Sequence, residues 1–200
     1  DHYTGAGGSI FITAGSLMGS GDIQANGGNY MGNYGGGGGR VALVLTGSGA
    51  DFAQYSGAAT AYGGRIDAID GIMTTPQVPA AGAGTVYLQT AAEGDRRGTL
   101  VIDNDGGFGA NYVTDLPADV LADPKELRRV NVEVRNGGTL RLIDNATIGD
   151  LHLLGANTRL NLNSNTLTIH TWRHSLAPGL VTNEGEIIWL SLDGSVIIIR

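Results

Sequence analysis

The chain has no cysteine, a single lysine (Lys125), five prolines and three phenylalanines in 200 residues. The lack of cysteine excludes disulfide scaffolds, zinc ribbons and cysteine nucleophiles, and leaves the compartment open. One lysine and scattered arginines make no basic stripe, which argues against a nucleic-acid partner. No apolar run approaches membrane-spanning length, and nothing at the start resembles a signal peptide. The first residue is Asp1 rather than methionine, so a processed product or an excerpt of a longer protein is expected. The formal net charge of −7 favours solubility and attracts cations.

Glycine is what the chain has in excess, at 34 residues, five of them consecutive in GGNYMGNYGGGGGR. Collagen is excluded because glycine does not recur at every third position. Disorder is excluded because apolar residues gather into short runs. SIFITAG (9–15), GRVALVL (39–45), GTVYLQT (84–90), GTLVIDN (98–104) and VNVEVRN (130–136) each alternate or run apolar between Gly, Asn, Asp or Ser. These are strands bounded by turns.

In the second half the leucines keep a beat: Leu140 and Leu142, Leu151 and Leu153, Leu160 and Leu162, Leu167 and Ile169. Leu140 to Leu160 is twenty residues, and Ile148 to Leu167 is nineteen. A period near twenty with two or three strands per period points to a β-solenoid, whose circuits stack because one alone cannot bury its inward side chains. The turns then select glycine, Asn and Asp, as in Asn26-Gly27, Asn136-Gly137 and Asp193-Gly194. A β-sandwich is the competing reading, disfavoured by the tight leucine spacing and the lack of two-residue hairpins. The glycine run fits a corner where backbones pass too close for side chains, at Gly37 and Gly38. It is not a phosphate loop, since Arg40 opens a strand where such a loop needs Lys and Ser or Thr opening a helix.

Two stretches depart from the pattern. Asp123, Pro124 and Glu126 stand where a helix cap, first turn and capping partner belong, so a short helix is expected near 123–129. Residues 66–84 read as a long surface loop. One domain is expected over 1–200: glycine-rich coils over 1–110, an insertion with the short helix over 111–130, and leucine-rich coils with terminal strands over 131–200.

GAGGSIFITAGSLMGSGDIQANGGN, GGGGGRVALVL, FAQYSGAATAYGG, GAGTVYLQT and GTLVIDN together resemble a glycine-rich repeat module of large bacterial secreted or cell-surface proteins. TLRLIDNATIGDLHLLGANTRLNLNSNTLTIH is similar to the strand ladders of autotransporter passenger domains. Over roughly residues 5 to 170 the resemblance implies an all-β, right-handed parallel β-helix of the pectin-lyase-like kind, and an extracellular or cell-surface location. It says little about activity.

Polysaccharide lyases and hydrolases share that fold, and hydrolases need paired carboxylates on one face. The chain has no adjacent Asp pair, no Gly-His-Gly and no Arg-x-Lys after it, and most of its aspartates are expected at turn positions. No enzyme is expected. DNDGGFG (103–109) resembles half of a calcium loop without the closing glutamate; a plain turn is preferred, with Asp103 and Asp105 the place for a metal if one binds. His2 and His152 stand apart, and His170 and His174 in HTWRH would lie about 13 Å apart on a strand, too far to share an ion unless the chain bends. Tyr30, Tyr34, Tyr55 and Tyr62 are candidates for stacking on a sugar ring or a partner, against the alternative that they pack between circuits.

Three functions follow. The first is a structural segment of a surface protein or filament, associating with copies of itself head-to-tail, or with adjoining domains, through the β-prone Ser195, Val196, Ile197, Ile198 and Ile199. The second is a carbohydrate-binding or adhesive module. A lyase or hydrolase comes last. No cofactor is expected.

Overall fold

The computed structural model describes residues 4–29, 35–65, 81–107, 112–116, 127–171, 176, 180–190 and 196–199. They form sixteen strands and one 3-10 turn, so the chain is all-β. Among the described residues no helix is long and apolar enough to cross a membrane.

The first half holds β1 (Ser9–Ala14), β2 (Ile23–Gln24), β3 (Arg40–Leu45), β4 (Ala59–Thr60) and β5 (Thr85–Gln89). β1, β3 and β5 pair in parallel, with Ser9 beside Arg40 and Arg40 beside Thr85. β2 and β4 pair in parallel as a separate short ribbon. Alternation explains the burial: Val41, Leu43 and Leu45 point inward from β3, while Arg40 points out.

The second half is more regular. β6 (Thr99–Asp103) and β7 (Thr114–Leu116) precede β8 (Asn131–Arg135), β9 (Thr139–Leu142), β10 (Ala146–Ile148), β11 (Asp150–Leu154), β12 (Arg159–Asn161), β13 (Thr166–Ile169), β14 (Val181–Thr182) and β15 (Glu186–Leu190). From β8 to β13 the chain visits three sheets in the same order twice, each strand pairing in parallel with its counterpart one circuit on. Partners are 19 residues apart at Asn131–Asp150, 20 at Thr139–Arg159 and 21 at Ala146–Leu167. Leu140 and Leu160 are direct partners, as their spacing predicts. Ile148 pairs with Ile169 rather than Leu167, because connections between strands differ by a residue or two from circuit to circuit. Leu140, Leu142, Ile148, Leu151, Leu160, Leu167 and Ile169 form one almost fully buried core with Trp189. Each such side chain contributes about 1.5–3 kcal/mol.

Among the described residues two reversals break the parallel order. β6 runs antiparallel to β5, with Val86 beside Val101, and parallel to β8. The sheet β1-β3-β5-β6-β8-β11 therefore spans both halves while strand direction inverts within it. The reversing loop is pinned from inside: Gly98 N–H donates to the Tyr87 hydroxyl (3.1 Å), and Thr90 N–H donates to the Glu93 carboxylate (2.6 Å). The second reversal is β16 (Val196–Ile199), antiparallel to β15. The buried apolar residues divide into two clusters, one drawn mainly from each half, with Val101 of β6 joining the first and Ala83 the second.

Of the helix expected near 123–129, residues 123–126 lie outside the described residues. The remainder is a single 3-10 turn, Leu127–Arg129, closed by Val130 N–H donating to the Leu127 carbonyl (2.8 Å). β8 begins directly after it, leaving no length for a further turn. The turn dipeptides also part company. Asn136 and Gly137 both take positive φ (47° and 80°), whereas neither Asn26 nor Gly27 does; Asn26 instead accepts from Tyr62 N–H through its side chain (2.8 Å). Asp193 and Gly194 lie outside the described residues.

The glycine tract is a close-packed part of the fold. Gly7 N–H donates to Gly37 (2.8 Å), Gly36 N–H to Gly28 (3.0 Å), Gly38 N–H to Gly82 (3.0 Å) and Gly39 N–H to Ala25 (2.7 Å). A β-carbon on Gly38 would overlap the Ala61 carbonyl, with no left-handed φ involved. Gly37 differs, since a β-carbon there would meet open space. The corner reading holds for Gly38 and is corrected for Gly37.

Candidate binding cleft

The cleft builds on β4 and the segment following it. β4 is held by β2: Ile23 lies beside Ala59, and Ala58 N–H donates to Asp22 Oδ1 (3.0 Å). Beyond β4, Gly27 N–H donates to the Tyr62 carbonyl (2.9 Å), which together with the Asn26 contact fixes the Tyr62 backbone. Between this ribbon and the main sheet opens a cleft of about 350 Å³. Its apolar floor includes Leu43, Val86 and Val101, and Tyr55, Thr60, Tyr62, Asp103 and Arg135 also line it.

Two of the four candidate tyrosines thus meet here, together with one of the two candidate aspartates. Tyr30 and Tyr34 lie outside the described residues. Tyr55 and Tyr62 differ in what they can offer. The Tyr55 hydroxyl lies 2.7 Å from the Gly21 carbonyl and 3.1 Å from that of Ala58, so its proton is used to tie its own segment to the one just before β2. Tyr62 is half-buried, and among the described residues no protein group hydrogen-bonds its hydroxyl. Burial raises the pKa of both phenols, with further raising by Asp22 at Tyr55 and by Asp103 at Tyr62. Thr60 is buried at 5% exposure and its hydroxyl has no hydrogen-bond partner. An unpartnered buried hydroxyl costs about 1–3 kcal/mol, which makes Thr60 notable in a lining of otherwise apolar floor residues.

Asp103 on β6 lies directly beside Arg135 on β8. Arg135 Nε donates to Asp103 Oδ2 (2.7 Å), Asn136 Nδ2 donates to the same oxygen (3.0 Å), and Asp105 N–H donates to Oδ1 (2.9 Å). Arg135 also reaches Glu133 (2.8 Å). Burial would lower the Arg135 pKa, but the hydrogen bond and charge of Asp103, aided by Glu133, outweigh it and leave a net upward shift. Asp105 forms an ion pair with Arg65. The carboxylates expected to serve a metal, if one binds, are therefore each engaged by a guanidinium, and a cation there would face both arginines. Among the described residues no three His, Asp or Glu side chains gather as a metal-holding group.

No family model, curated protein or solved structure matches the chain. The site rests on its own geometry.

Arg135 and Thr60 are not visible as site residues in the sequence. Asp103 and Arg135 are 32 residues apart, one circuit of unusual length, and the intervening 104–130 hides the register. The remaining candidates lie elsewhere. His152 pairs with Asp150 (3.0 Å). His170 sits at another corner of the fold, and His2 and His174 are outside the described residues. Of the residues expected to serve assembly, Val196, Ile197, Ile198 and Ile199 make up β16, and Ser195 is outside the described residues. One edge of β16 is occupied by β15, with Ile187 beside Ile199 and Leu190 beside Val196. Its other edge has no strand partner among the described residues.

Proposed function

We propose that the chain is a right-handed parallel β-solenoid segment, serving as a structural element of an extracellular surface protein or filament and self-associating through strand edges. The observation that carries this reading is the 19–21-residue register that recurs through β8–β15. Stacked circuits of that length build a stiff rod from nearest-neighbour contacts alone. The backbone-to-backbone contacts of the glycine tract extend the stacking into the first half, and the resemblance to glycine-rich surface modules agrees with it. The outer edge of β16 is the natural place for another copy or an adjoining segment to add a strand. On this reading the chain has no catalytic role.

Sedimentation velocity and negative-stain electron microscopy over a concentration series test it. Concentration-dependent rods or fibres are expected. Dispersed monomers at the highest concentration would remove self-association from the proposal.

The cleft favours a second reading, a glycan-binding adhesive module. A half-buried tyrosine with a free hydroxyl, an unpartnered threonine hydroxyl and an apolar floor match the mixed character of a sugar ring. Binding on a glycan array that disappears in Tyr62→Ala supports it; an array with no hits removes it. A lyase or hydrolase is the least supported of the three.

A further inference from the structure

A second concavity, of about 550 Å³, lies at the start of β8, beside Asn131, whereas the cleft lies at its end, beside Arg135. Its lining includes Arg97, Arg128, Arg129, His170 and one carboxylate, Asp150. The topology gathers these side chains from four stretches of sequence. Asn131 N–H donates to the Gly98 carbonyl (3.1 Å), which brings Arg97 alongside the Arg128–Arg129 turn. On the next circuit Gly149 N–H donates to Val130 (2.8 Å), and on the one after that His170 N–H donates to Ile148 (3.1 Å). The arginine turn, Gly149 and His170 therefore stack as successive levels of one corner. Gly149 keeps the middle level bare, because a β-carbon there would crowd the Arg129 backbone and the Asn131 side chain.

Among the described residues Arg65, Arg135 and Arg141 each hold an acidic partner from another strand or loop, whereas no acidic group pairs with Arg97, Arg128 or Arg129. Asp150 is directed to His152. Three guanidiniums share this corner with a single carboxylate that is directed to His152, which leaves an excess of positive charge there in a chain of net charge −7, and the guanidiniums repel one another unless an anion joins them. Planar guanidiniums match tetrahedral oxyanions in paired hydrogen bonds. We propose that this corner is an oxyanion site, taking a single sulfate or phosphate group. The negative remainder of the molecule disfavours a densely charged polyanion such as nucleic acid, whose phosphates would extend beyond the corner. The group comes either as a free ion or as an ester on a sparsely sulfated polysaccharide.

The test titrates the whole chain with inorganic sulfate, lightly sulfated dextran and unsulfated dextran, following arginine side-chain NMR resonances and calorimetric heat. Saturable sulfate binding is expected, weakened about tenfold in Arg97→Gln and again in Arg129→Gln, both exposed positions. Arg40→Gln and Arg159→Gln, at other places on the surface, should leave it unchanged, and thermal melts should show all four variants folded. Sulfated dextran binding much more tightly per group than the free ion, with plain dextran inert, assigns the ester; equal affinities assign the free ion. Absence of saturable sulfate binding, or equal losses in all four variants, overturns the site.

Discussion

Gly38 stands so close to Ala61 that a β-carbon on the glycine would occupy the space of the alanine carbonyl oxygen. What must yield on substitution is backbone, which cannot rotate aside. Gly38→Val is therefore expected to lose about 3 kcal/mol, at the upper end of overpacking costs. Gly37→Ala, one residue earlier and facing open space, should stay within about 0.5 kcal/mol of the parent. Urea unfolding midpoints make the comparison, and equal losses at the two positions would contradict the packing account.

Leu160 is fully buried between Leu140 and Val181, its partners on either side. Leu160→Ala should cost about 2–5 kcal/mol, because strands paired on both sides leave little room for collapse around the cavity. Leu154→Ala, at a residue 45% exposed, serves as the control with a change below about 0.5 kcal/mol. A small effect at Leu160 would mean that its column does not carry the core.

Tyr55, Tyr62 and Tyr87 all have phenol pKa values raised above 10.0, in each case first by burial. Above pH 10 the unfolded chain has released these protons while the folded chain retains them. The stability they contribute is thus full below pH 10 and falls as pH rises through the folded values. Phenolate absorbance should show late-titrating tyrosines, and Tyr62→Phe should remove one of them. Titration of every tyrosine at the free value would sink this prediction.

β16 pairs with β15 along one edge only, and in an antiparallel strand successive N–H groups point to opposite edges. Of Ile197 and Ile198, one N–H faces β15 and the other faces outward. Proline removes the donor it replaces. One of the single variants Ile197→Pro and Ile198→Pro should lower the melting temperature, and the other should impair self-association more than it impairs folding. Two variants with the same profile would argue that the outer edge is not an assembly surface.

Several of these relationships are legible in the amino-acid sequence alone. The twenty-residue step from Leu140 to Leu160 predicts a direct pairing, since an inward position must face its counterpart one circuit on. The neighbouring step from Ile148 to Leu167 misleads by two residues, because turn lengths vary and apolar spacing does not reveal how many residues a turn consumes. The glycine tract is readable as a site of close backbone approach, yet its individual members are not: Gly37 and Gly38 have the same chemistry and different surroundings. Tyr55 and Tyr62 are recognisable as candidates, while the assignment of the Tyr55 hydroxyl to Gly21 depends on a contact across 34 residues.

By itself the sequence determined that the chain is all-β, that its second half repeats near twenty residues, and where many of its strands lie. Those properties follow from alternation and turn chemistry, which act over a few residues. Only the tertiary structure decided the reversal of direction between β5 and β6, the pairing of Asp103 with Arg135, and the gathering of Arg97 with Arg128 and Arg129. These depend on the length of whole circuits, including the irregular one between β6 and β8, and circuit length is set by how strands stack rather than by any local pattern.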